Sequence, residues 1–114
     1  MDLKQFENEL LKAIRPLDYV INIDIKKRSE ISLQGFIGLK KKYKLSVFFN
    51  EAYFIISFSL IYRKQRIWAI DRDNRVGWHL HPIGNANMHE TISKMTISQI
   101  IGEFNNVCRK IYNE

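Results

Sequence analysis

From Tyr19 to Tyr62 the chain alternates apolar and polar residues with a period of two, and this constrains the fold more than any other feature. In "YVINIDIKK", Tyr19, Ile21, Ile23 and Ile25 share one face, and Asn22, Asp24 and Lys26 share the other. "EISLQGFIGL" continues with Ile31, Leu33, Ile37 and Leu39 across Gly35, and "YKLSVFF" with Tyr43, Leu45, Val47 and Phe49. After a short turn at Asn50-Glu51, a long strand from Ala52 to Tyr62 puts Phe54, Ile56, Phe58, Leu60 and Tyr62 on one face, with Ser57 and Ser59 on the other. Successive strand residues point to opposite faces, so each run reads as a half-buried strand. Connections this short imply an antiparallel meander.

Two runs of helical period flank the meander. Leu3, Phe6, Leu10, Ala13 and Ile14 form the first apolar stripe, with Asp2 as N-cap and Pro16 stopping the helix near Ile14. The second runs from about Thr96 to Tyr112 on Ile97, Ile100, Ile101, Phe104, Val107, Cys108 and Ile111, and Thr96 with Gln99 forms a capping box. A sheet with one apolar face needs a cover, and two amphipathic helices supply it. The expected fold is α+β: an N-terminal helix, an antiparallel β-meander of five to six strands and a C-terminal helix. Both helices lie on one sheet face, and the other face is open. The 114 residues make a single domain, 1–114, able to bury a core without disulfides. Cys108 is the sole cysteine and reads as a buried small hydrophobe, which points to a reducing, cytoplasmic location. "MDLKQFENEL" lacks the apolar region of a signal peptide. "AYFIISFSLIY", the most apolar run, is too short to span a bilayer as a helix, so no membrane partner is expected.

A formal net charge of +6 on so small a domain suggests an anionic partner, RNA or DNA above all. "KKRSE" and "LKKKYK" read as basic turns between strands, either solvated edge protection or a rim that tracks phosphates. The candidate nucleic-acid-binding residues are Lys40, Lys41, Lys42, Arg63, Lys64, Trp68, Arg72 and Arg75.

All three histidines fall within "GWHLHPIGNANMHET": His79, His81 and His89. "RIWAIDRDNRVGWHLH" reads as a hairpin about a two-residue turn at Asp73-Asn74. That register pairs Trp68 with His79 and Arg66 with His81. It leaves Ile67, Ala69, Val76, Trp78 and Leu80 for the core, and Pro82 ends the strand. Two imidazoles then share a face with Arg66 and Trp68, and His89 folds back from the loop. Three readings stay open: surface histidines without a site, a metal site of two or three imidazoles near Asp71, Asp73 and Glu90, and a metal-independent phosphodiester site. The last assigns His79, His81 and His89 to acid–base chemistry, Arg66 to the phosphate and Trp68 to base stacking, with no metal and no cofactor. On a polar sheet face the histidines should be removable with a stability change of no more than about 0.5 kcal/mol.

The segment "RIWAIDRDNRVGWHLHP....MH" followed by "MTISQIIGEF" resembles the TumE-like toxins of prokaryotic toxin–antitoxin pairs. Asp71, Asp73 and Asn74 match the turn, His79, His81 and His89 the histidine cluster, and Thr96 onward the closing helix, over about the last 50 residues. The resemblance implies a toxin role, with a cognate antitoxin as partner, and leaves the chemistry to the histidine cluster, from which a ribonuclease-like activity is expected; a homodimer is a further expected assembly. The alternative is a non-catalytic module that binds nucleic acid or protein. Helix-plus-meander also resembles the RWD and ubiquitin-conjugating folds. "HPIG" lacks the Asn of the His-Pro-Asn motif and no cysteine follows in that loop, which removes conjugating chemistry.

Overall fold

A computed structural model describes residues 1–113. Among these, α1 (Leu3–Ile14) precedes strands β1 (Val20–Lys27), β2 (Ser32–Leu39), β3 (Lys44–Asn50), β4 (Ile55–Tyr62), β5 (Gln65–Asp73), β6 (Gly77–His81) and β7 (Glu90–Thr91), and α2 (Ile97–Tyr112) follows. The strands form one open antiparallel sheet in chain order. The expected five to six strands become seven because Glu90–Thr91 pairs briefly with β6.

Both helix starts form as their sequences dictate. The Asp2 side chain accepts the Gln5 N–H, and Thr96 and Gln99 exchange side-chain and backbone hydrogen bonds in a complete capping box. Each helix lays its apolar stripe on the same sheet face. Phe6 of α1 stacks on Phe49 at 4.3 Å and leans on Phe58 at 6.0 Å, while Phe104 of α2 meets Trp68 at 6.0 Å. Cross-strand pairing of Val47 with Phe58 and of Leu60 with Trp68 puts these anchors on one face. Such aromatic pairs add about 0.5–1.5 kcal/mol each beyond their area burial.

Three local readings change. A bulge between Val20 and Asn22 turns Ile21 out to solvent. β4 begins at Ile55, after a turn in which the Asn50 side chain accepts the Tyr53 N–H, and Phe54 has φ +51° and lies off the core. The third change matters most. Asp73 pairs with Gly77, so the hairpin loop is the three residues Asn74–Val76 and not the two-residue turn at Asp73-Asn74. The Asp73 carboxylate accepts the N–H groups of Arg75 and Val76, and Gly77 sits at φ +79°. A left-handed glycine closing a three-residue hairpin is the usual geometry for that loop length. The Val76 N–H, with that of Arg75, holds the Asp73 carboxyl below its ordinary pKa.

Moving the register by an odd number of residues exchanges the faces of β5 relative to β6. Trp68 therefore enters the core at 2% exposure, and Val76, expected inside, is 50% exposed. Trp78 is half-buried, edge-on to Phe54. The face that carries the histidines instead gains Ala69 and Asp71, paired with His81 and His79.

Candidate histidine–aspartate centre

Two rows of side chains cross the open face of the sheet. One runs Phe36, Ser46, Ser59, Ala69, His81, and the other Phe48, Ser57, Asp71, His79, Thr91. The small residues make a low floor between the two phenylalanines and the histidines. Arg66 reaches the same face through a bulge. Trp68 lies opposite Leu60 but Arg66 lies opposite Ile61, so Ile67 is an extra residue and the arginine is re-aimed. Arg66 thus joins the histidines as expected, by a different backbone route.

The loop after Pro82 curls back over β6. It brings the His89 ring to 4.3 Å from His81 and 5.5 Å from His79, whose own rings are 5.1 Å apart. His79 and His81 are buried, at 4% and 2% exposure, while His89 is exposed. Nδ1 of His79 lies 3.0 Å from the Gly77 carbonyl, and Nδ1 of His81 lies 3.0 Å from the Ala86 carbonyl. A carbonyl oxygen only accepts, so each Nδ1 carries the proton and donates it. Arg66 Nη2 also lies 3.5 Å from His81 Nδ1, but the shorter carbonyl contact decides the tautomer.

Both Nε2 atoms then face one oxygen. Asp71 Oδ2 is 3.3 Å from His81 Nε2, 3.6 Å from His79 Nε2 and 3.5 Å from Arg66 Nη1. Asp71 Oδ1 is buried and has no hydrogen-bond partner among the described residues. Burial, reinforced by the Arg66 guanidinium, lowers the His81 pKa from its ordinary value against the opposing pull of the Ala86 carbonyl and Asp71. A polar cleft of about 440 Å³, lined by Gln65, Arg66, Ala86 and Asn87, opens beside this centre.

The remaining predicted site residues separate into three places. Lys40, Lys41 and Lys42 form the turn between β2 and β3, with Lys41 and Lys42 left-handed, and Arg63 and Lys64 form the two-residue turn between β4 and β5. The strand registers put both turns at the sheet end where the chain leaves β6 after His81. Stacked Tyr43 and Tyr62 link them at 4.3 Å, and Arg63 lies over the Tyr62 ring at 5.1 Å. Arg72 and Arg75 lie at the opposite end, where Arg72 donates to the Phe54 carbonyl and the Asn74 side chain. Trp68, assigned from sequence to base stacking, is enclosed in the core and cannot meet a base. Asp71 is the site residue whose place sequence reasoning missed. Gly77, three residues beyond Asn74, was the available signal for the longer loop and hence for the pairing of Asp71 with His79.

Comparison with protein-family models, with curated proteins and with solved structures finds no match to this chain.

Proposed function

We propose that the protein binds single-stranded nucleic acid along its basic end and acts on a phosphodiester at the histidine–aspartate centre. The resemblance to TumE-like toxins implies a toxin role, which such an activity would serve. The observation that carries the reading is the convergence of three imidazoles beside Arg66, next to a polar cleft at the same end as the basic turns. Lysines and arginines on those turns offer a row of phosphate contacts. Arg66, 43% exposed, is able to turn from Asp71 to a substrate phosphate. With His79 and His81 buried, the reacting phosphate is approached from the side of His89 and Arg66, and the buried pair acts from beneath. One imidazole takes the proton from the attacking oxygen as the new P–O bond forms, and another gives a proton to the leaving oxygen as the old P–O bond breaks.

The test is cleavage of labelled single-stranded RNA by the purified protein and by Arg66→Ala and His89→Ala. Both side chains reach solvent, so both variants should fold. Loss of about 10²-fold or more in rate supports a catalytic centre. If wild-type protein binds RNA but leaves it intact, the non-catalytic binding module is the correct reading.

A further inference from the structure

We propose that His79, His81 and His89, together with the carboxylate of Asp71, bind a divalent transition-metal ion of the zinc type. Any use of that ion in catalysis rests on the function proposed above and replaces its imidazole base, because a ligating Nε2 no longer accepts a proton, whereas binding of the ion rests on the donor geometry alone. The sequence left a metal site of two or three imidazoles open but assigned none, because no cysteine joins the histidines and Asp71, Asp73 and Glu90 are only nearby in the chain.

Metal-ligating histidines characteristically donate their second ring N–H to a backbone carbonyl or carboxylate, which fixes the tautomer and aims the other nitrogen. His79 and His81 both do so, through Gly77 and Ala86. Their Nε2 atoms lie beside the same carboxylate oxygen, so the three donors surround one point where a cation would be held. The spacing suits one. Zinc binds imidazole at about 2.0–2.1 Å, so donors in a tetrahedral shell lie roughly 3.3–3.4 Å apart. The Asp71 Oδ2 to Nε2 distances are 3.3 and 3.6 Å. One ring nitrogen from each of the three histidines lies within 4.8 Å of the others. His89, exposed and on a loop, supplies the third imidazole from the solvent side. The orphaned Asp71 Oδ1 is a further acceptor on the same carboxylate.

The donor set also selects the ion. Three imidazoles with one carboxylate suit zinc, iron(II), nickel or copper, whereas magnesium and calcium take all-oxygen shells. Arg66 Nη1, 3.5 Å from Oδ2, is the competing cation and has to swing outward when the ion enters.

The experiment titrates chelator-treated full-length protein with Co²⁺, followed by its visible absorption, then competes with Zn²⁺ and records thermal melts with and without Zn²⁺. Expected are one ion per chain, a visible band removed by Zn²⁺, a higher melting temperature with Zn²⁺, and no displacement of Co²⁺ by excess Mg²⁺. His89→Ala, at an exposed position, should keep the fold and weaken Zn²⁺ binding at least about tenfold, and Asp71→Asn about 10- to 100-fold. Arg66→Ala should bind Zn²⁺ as well as wild type or better. Equal Zn²⁺ affinity in wild type and His89→Ala, or no Co²⁺ band, overturns the proposal. RNA cleavage by protein that takes up no Zn²⁺ overturns the metal site and leaves the proposed function standing. Stoichiometric Zn²⁺ binding without RNA cleavage does the reverse.

Discussion

At the scale of single residues, burial changes what the histidines cost to remove. On an open sheet face they should be nearly neutral, but His79 and His81 are enclosed and each donates to a backbone carbonyl. Alanine at either position leaves a carbonyl and a cavity behind, so a loss of about 1–3 kcal/mol is expected in urea unfolding of metal-free protein. His89→Ala should stay within about 0.5 kcal/mol of wild type, because its side chain is exposed. Equal stabilities for all three variants would mean the loop does not close over β6. Cys108 behaves as its position on the α2 stripe suggests. It is fully buried, and burial pushes its thiol up to about 12. A thiol reagent at neutral pH should leave it unlabelled in the folded protein and label it fully in denaturant. Rapid native labelling would count against the packing of α2.

At the scale of elements, the two basic hairpin turns carry strain. Arg63 and Lys64 occupy φ +52° and +65°, and Lys41 and Lys42 occupy φ +61° and +67°. A two-residue hairpin turn with both residues left-handed favours Asn-Gly, and each long side chain held there costs about 1 kcal/mol or more. Cations in such positions fit a role outside folding. Replacing Arg63-Lys64 with Asn-Gly should stabilise the protein by about 1–2 kcal/mol and weaken RNA binding. Stabilisation with unchanged RNA affinity would remove this turn from the proposed interface. Gly77 is the converse case. Nothing lies within 4 Å of a Cβ built there, so Gly77→Ala tests φ +79° alone. It should cost about 1–2 kcal/mol in thermal or urea unfolding. A smaller loss would show that the hairpin has a second loop geometry of similar energy.

At the scale of the whole molecule, the candidate phosphate contacts divide between the two sheet ends, and the far end also carries Lys27 and Arg28 at the β1–β2 turn. Lys40, Lys41, Lys42, Arg63 and Lys64 gather with the histidine centre, whereas Arg72 and Arg75 lie at the far end. Reversing Lys40, Lys41 and Lys42 to glutamate should lower RNA affinity and flatten its dependence on salt. The log–log slope should fall by roughly 0.7 for each single-strand phosphate that is no longer neutralised. Reversing Arg75, on the exposed far loop, should leave both nearly unchanged. Comparable effects from the two sets would mean that binding follows net charge and not a surface.

The sequence by itself determined the elements: period-two alternation set four strands and, apart from Ile21 and Phe54, their core face, and helical stripes with their caps set α1 and α2. These are local patterns, set by which side chains must leave water. It also singled out the three histidines and Arg66, because their confinement and spacing are visible in the chain. What the tertiary structure decided was registration. One residue more in a hairpin loop, with a left-handed glycine to close it, set Asp71 beside His79 and sent Trp68 to the core. One bulge returned Arg66 to the histidine face. A strand's two faces are fixed by its neighbour's register, and register depends on loop geometry whose alternatives differ by little in local energy. Only the folded sheet chooses between them, and here that choice assembles the centre.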